Sequence, residues 1–351
     1  MKKGAATGGK VGRGPLIDDT ANRRVRRYRE VAFRALLVGA VVVLGVTAAR
    51  AETVLVSNEK GNSITVFDAA SLKVIKTIAV GQRPRGIILS KDQRTLYICA
   101  SDDDEIEQLD LDTYKLKPPL PSGADPETFA LHPDGKHLYV SNEGNSLVSI
   151  VNIEQRRIIG EIPVGVEPEG IGISPDGKWI VNTSETTSMA HFIDNDTKKV
   201  VANVLVDSRP RHAEWTADGK EVWVSSEIGG SVSVIDAASH KITHKIKFDV
   251  SGVPKEAVQA VGIAIKSDRT LAFVALGPAN RVAVIDTANY EVKKYLLVGQ
   301  RVWNLAFNHD QTRLYTTNGI SNDISEIDVP GLKVLRSVVA GEQPWGVVVR
   351  P

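Results

Sequence analysis

From Val54 onward the chain repeats itself seven times. The clearest unit runs from Leu138 to Lys178, LYVSNEGNSLVSIVNIEQRRIIGEIPVGVEPEGIGISPDGK. Equivalent starts fall at Val54, Leu96, Leu138, Ile180, Val222, Leu271 and Leu314, spaced 42, 42, 42, 42, 49 and 43 residues apart. A period of about 40–45 residues is that of β-propeller blades, four strands to a blade. Each unit carries four strand signals: a short β-rich run (Leu138–Ser141), an alternating run (Ser231–Asp236), a third like Lys73–Val80, and an apolar fourth such as Gly170–Ser174. No segment keeps a 3.6-residue apolar period, so the body reads as all-β. Asp-Gly turns at Pro133–Lys136, Pro175–Lys178 and Ala217–Lys220 join the fourth signal to the next first one.

The order of signals predicts how the ring closes. The repeats open on a first strand at Val54 and end on a fourth at Trp345–Val349. The last blade should combine Trp345–Val349 with Val54–Val80, a 1+3 closure that leaves no unpaired blade. The expectation is one seven-bladed propeller over residues 52–351, with four antiparallel strands per blade.

Charge separates the remainder from this body. Lys and Arg number 43 against 42 Asp and Glu, but 11 of the basic and only 3 of the acidic residues lie in residues 1–51, leaving 52–351 at −7. A body this acidic lacks the basic footprint of a nucleic-acid binder. The basic run 23–29, the apolar stretch 31–49 and Ala49-Arg50-Ala51 follow the order of an export signal, with cleavage expected after Ala51. Beyond Arg34 the apolar stretch is shorter than the ~20 residues that span a bilayer, so no stable membrane span is expected after signal removal. The expected location is the periplasm. The single cysteine, Cys99, rules out an intramolecular disulfide and CxxCH haem attachment.

LYVSN (Leu138–Asn142), VSVID (Val232–Asp236), VGxxPxG (Val164–Gly170) and SPDGK (Ser174–Lys178) resemble YVTN-type β-propeller repeats, and the resemblance covers 53–351. Ala272–Asp286, Leu296–Phe307 and Thr316–Ser325 resemble, more narrowly, the exported β-propeller family associated with PQQ-dependent alcohol catabolism. That resemblance implies a periplasmic propeller serving a PQQ-dependent dehydrogenase, a c-type cytochrome or an ABC transporter component. PQQ enters only through those associated enzymes, and the family supplies no catalytic residues to transfer. The GH…WD pairing of WD repeats is absent. The five Trp sit at mixed repeat positions, unlike the quinoprotein dehydrogenases, so no cofactor is assigned to the chain itself.

In a propeller, equivalent positions form rings around the axis. The residue after the VGxxP proline position reads Arg85, Glu127, Glu169, Arg211, Val261, Trp303, Trp345. This ring is expected at the channel mouth, with His212 beside it. Two readings stand: the Arg forks hold an anion and the Trp pair stacks a planar ligand, or the four charges pair and plug the channel. A second ring, following the LYVSN strand, holds Glu59, Ser101, Glu143, Glu185 and Glu227, extended by Asp102, Asp103 and Asp104. It reads as an acidic rim on the same face, either steering a basic partner or solvating loops. The 49-residue unit carries an extra stretch, Phe248–Gln259, a candidate docking loop or a neutral insertion. The run Asp102–Asp104 lacks EF-hand spacing. No HExxH, GxSxG, P-loop or dinucleotide fingerprint occurs, and no metal site is assigned.

Two functions follow. One is a non-enzymatic periplasmic scaffold that engages partners or a small ligand at the mouth. The other is a lactonase-like hydrolase, since propellers resembling this one include lactone hydrolases; its base would be Glu127 or Glu169, with Arg85, Arg211 or His212 binding the oxyanion.

Overall fold

The computed structural model describes residues 52–351, together with Gly12. The basic run, the apolar stretch and the cleavage position after Ala51 lie outside the described residues. None of the described helices is long and apolar enough to cross a membrane.

Twenty-eight strands form seven four-stranded antiparallel sheets, and the described helices are three single 3₁₀ turns. Six blades are sequential. In the seventh, Pro344–Arg350 pairs with Thr53–Asn58, which continues into Ser63–Asp68 and Val74–Ala79. The 1+3 closure is therefore present, with Val54 opposite Val349 and Leu55 opposite Val348.

Burial explains the patterns that the repeat showed. The two middle strands of each blade are sandwiched between neighbouring blades, so runs such as Leu138–Asn142 and Leu147–Asn152 are buried on both faces. The outer strands have one wet face and alternate, as in Arg157–Pro163. Between blades the apolar side chains interlock: Tyr139, Val148, Ile150, Ile171 and Ile180 form one such layer. Each fully buried Ile, Leu or Val there contributes about 1.5–3 kcal/mol.

The Asp-Gly turns behave as their chemistry requires. Gly135, Gly177 and Gly219 have φ of 70°, 75° and 67°, and Asp134 Oδ1 accepts the Lys136 N–H at 2.7 Å. In the blades without that glycine, Gln93, Arg269 and Gln311 take the same left-handed conformation.

The inner strands are Pro84–Leu89, Pro126–Leu131, Pro168–Ile173, Pro210–Trp215, Ile263–Ile265, Val302–Phe307 and Pro344–Arg350, arranged in a ring. Small residues let them approach. A Cβ on Gly170 would lie 2.5 Å from the Arg211 carbonyl oxygen. Ser57 Oγ, Ser225 Oγ and Thr317 Oγ1 donate across the blade boundary to the carbonyls of Arg85, Val261 and Trp345, at 2.7, 2.5 and 2.6 Å. The backbone of the first ring is thus pinned by the preceding blade. The stretch Phe248–Gln259 is anchored by buried Phe248, Val250 and Val258 and exposes residues 254–256 at its tip.

Candidate site at the channel mouth

The two rings meet because of one backbone feature. The residue before six of the seven inner strands is left-handed: Arg83, Asp125, Glu167, Arg209, Arg301 and Gln343 have φ between 52° and 58°. That turn aims its carbonyl at the second ring. Glu59, Glu143, Glu185 and Glu227 donate their N–H groups to Gln343, Asp125, Glu167 and Arg209 at 2.8–2.9 Å. Both rings therefore share one face.

On that face the charges form a continuous chain. Arg85 Nε lies 2.8 Å from Glu127 Oε2, and its Nη2 donates to Glu169 Oε1 at 3.1 Å. Arg211 Nη2 reaches the same Glu169 oxygen at 3.2 Å and Nη1 donates to Glu185. The chain ends on aromatic rings: the Arg85 guanidinium lies 4.7 Å from the Trp345 centroid, and that of Arg211 5.7 Å from Trp303. Arg85, Glu127, Glu169, Arg211 and Trp345 are all buried, and Glu127 is 0% exposed. The Arg85–Glu127 contact is a close ion pair without hydrogen-bond alignment, since Arg85 Nε and both Glu127 oxygens have no hydrogen-bond partner.

A second layer lies above it, and its arginines were not singled out from the sequence. Arg83 bridges Asp102 (2.7 Å), Asp125 and Glu127 (3.1 Å). Arg209 Nε contacts Glu185 at 2.8 Å and Glu227 at 3.2 Å. Arg301 donates to Glu227 and to Gln259 of the extra loop, both at 2.8 Å, and covers Trp303 at 4.3 Å. A signal was present: Arg-Pro-Arg occurs at 83–85 and again at 209–211.

The expected acidic rim is accordingly uneven. Glu185 and Glu227 are buried beneath arginines, because three guanidinium groups converge on them. Glu59 and Glu143 are half-buried, and Asp102, Asp103 and Asp104 are exposed. Asp103 and Asp104 fold inward to accept the N–H groups of Gln82 (2.6 Å) and Asp125 (2.7 Å). His212 pairs with Glu214 at 3.4 Å, deeper along the inner strand, and Val261 is buried.

Burial sets the protonation. It pushes Glu127 up to about 7, against the opposing pull of Arg85 and Arg83. Burial likewise raises Glu143, Glu169 and Glu185. For Arg83 and Arg211 burial works to lower the pKa, but the surrounding carboxylates outweigh it and hold both above the usual arginine value. Cys99, fully buried, is raised well above an ordinary thiol and is unreactive there. Asp125, Glu127 and Glu143 bring three carboxylates within ligand reach of one another, but Arg83 and Arg85 already neutralise that group.

The fold and this mouth define a seven-bladed β-propeller with paired, buried charges on its ring of inner strands. A family model for YNCE-like β-propellers matches residues 89–218. No curated protein matches the chain. Among solved structures, the hydrazine synthase of Kuenenia stuttgartiensis is similar at 21% identity and a TM-score of 0.72, over 79% of this chain and 92% of that one. The periplasmic gluconolactonase of Pseudomonas aeruginosa is similar at 18% and 0.72, over 86% and 99%. A protein of unknown function from Desulfotomaculum acetoxidans is similar at 17% and 0.70, over 85% and 98%. At these identities the likeness is one of fold.

Proposed function

We propose that this protein is a non-enzymatic propeller that binds a partner protein or small ligand through its mouth face, in the periplasm and in the service of PQQ-dependent alcohol oxidation. The observation that supports the binding role is the use of the axial charges by one another. Arg85, Glu127, Glu169 and Arg211 are buried and mutually paired, and the Trp rings are covered by guanidinium groups. What faces solvent is the rim: Arg209, whose side chain is 46% exposed, and Asp102, at 53%. Exposed charge on a rigid ring suits steering and docking. The setting rests on the sequence resemblance and the export signal.

The second reading, a lactone hydrolase, is favoured by one observation. A buried Glu127 at about 7, flanked by Arg83 and Arg85, has the acidity of a general base working near neutrality. The gluconolactonase likeness agrees with it in fold.

One paired experiment separates the readings. Wild type and a variant with Arg83, Arg209 and Asp102 replaced by Ala are used to capture proteins from a periplasmic extract, and both are assayed against gluconolactone. The scaffold reading expects a dehydrogenase, cytochrome or transporter component retained by wild type and lost by the variant, with no hydrolysis above buffer. Hydrolysis that disappears in Glu127→Gln would establish the enzyme instead.

A further inference from the structure

On the face opposite the mouth, one Asp-Gly turn differs from all the others. In the other two Asp-Gly turns the residue before the Pro or Ala is a hydroxyl that donates to the turn aspartate: Ser174 to Asp176 at 2.6 Å and Thr216 to Asp218 at 2.8 Å. The third turn reads His132-Pro-Asp134-Gly-Lys-His137. The hydroxyl has become an imidazole, and the next strand also opens on an imidazole, where other blades carry Thr95, Trp179, Glu221, Leu271 or Arg313. Both changes fall in the same turn. His132 Nδ1 lies 3.0 Å and His137 Nδ1 2.7 Å from the same oxygen, Asp134 Oδ2.

We propose that His132, Asp134 and His137 form a site for a divalent transition ion of the Zn²⁺, Co²⁺ or Ni²⁺ kind. The donor set is two imidazoles and one carboxylate, which such ions accept while keeping positions open to water. The three donor atoms lie within 4.8 Å of one another. Ligands 2.0–2.1 Å from a tetrahedral ion sit about 3.3 Å apart, so only small side-chain movements are needed. All three side chains are partly exposed, at 18, 34 and 27%, so the ion has a path in.

The surroundings of His132 orient its ring for this role. Its Nε2 lies 3.2 Å from the Gly177 carbonyl oxygen in the neighbouring blade, and also 3.2 Å from Asn195 Nδ2. With the Nε2 proton given to that carbonyl, Nδ1 is left as an acceptor: it takes the Asp134 N–H at 3.2 Å and lies 3.0 Å from Asp134 Oδ2. A backbone carbonyl on the far ring nitrogen is also how metal-ligating histidines are oriented. Gly177 makes the approach possible, since a Cβ there would lie 2.5 Å from His132 Nε2.

His137 tells how the site is loaded. Its Nε2 faces the Asn152 amide nitrogen at 3.2 Å, which leaves its proton on Nδ1 and donated to Asp134. Ion binding at Nδ1 takes the other neutral tautomer, with the ring proton on Nε2 and the Asn152 amide turned so that its oxygen accepts it. A loaded site ties the end of Pro126–Leu131 to the start of His137–Asn142 and, through Gly177, to the next blade.

The test is titration of the untagged full chain with Co²⁺, followed by its visible absorption, then displacement by Zn²⁺ followed calorimetrically. The expected result is one equivalent bound and a raised melting temperature. Affinity should fall at least tenfold in His132→Gln and in His137→Gln, each checked for unchanged circular dichroism, and should be unchanged in His309→Gln. Absence of binding by wild type at millimolar ion, wild-type affinity in either turn variant, or loss of binding in His309→Gln would each overturn the proposal.

Discussion

Arg211 and Arg209 stand two residues apart, on either side of Pro210, and share Glu185 and Glu227 as partners. Yet the Arg211 side chain is 5% exposed and that of Arg209 46%. The same pairing repeats at Arg85 and Arg83, whose side chains are 10% and 19% exposed. The left-handed residue before the proline turns its side chain over the rim, while the extended residue after it points toward the axis. One chemistry is thereby put to two uses. At the axis, desolvated charges depend on one another, and removing one leaves an uncompensated ion. At the rim, water screens the same groups and frees them for recognition.

This contrast orders the expected effects. Arg211→Ala leaves the buried Glu169 with Arg85 alone and Glu185 with Arg209 alone, and should cost about 3–5 kcal/mol in denaturant unfolding.

The next effect is pH-dependent. The Glu127 value is raised from 4.5 to about 7, so between those values the folded chain holds a proton that the unfolded chain has released. Stability therefore falls as pH rises through that window and levels off above it, by about 3 kcal/mol in total. Glu127→Gln should reduce that slope in unfolding curves taken from pH 4.5 to 8, with the remainder carried by the other raised carboxyls, and an unchanged slope would show that Glu127 does not titrate there.

The smallest effect belongs to the rim. Arg209→Ala should alter stability by about 1 kcal/mol or less, while reducing capture of the partner. A large loss of stability with capture intact would merge rim and axis into one structural unit.

Much of the fold was legible because a propeller writes its architecture as a period. The 42-residue spacing, the Asp-Gly turns and the terminal signals at Val54 and Trp345–Val349 sufficed for seven blades and their closure. The ring order was legible for the same reason. Pairing was not, because reach depends on side-chain length and backbone hand rather than on spacing. Arg85 contacts Glu127 in the next blade and Glu169 in the one after. Glu185 and Glu227 looked like rim residues because they open loops, but the three arginines over them draw them inward. Arg83, Arg209 and Arg301 went unread because their role depends on positive φ, which strand patterning does not report. The imidazole turn at 132–137 lacks a familiar metal-ligand spacing, and only the course of the turn brings its three donors together.

If the buried charges hold the ring, their coupling must appear in its stability. A double-mutant cycle on Arg211 and Glu169, read as unfolding free energy, tests it most directly. Arg211→Ala is expected to be strongly destabilising, and adding Glu169→Gln should recover a measurable part of the loss, because the under-compensated carboxylate is then neutral. Strictly additive effects, or an Arg211→Ala variant as stable as wild type, would contradict it.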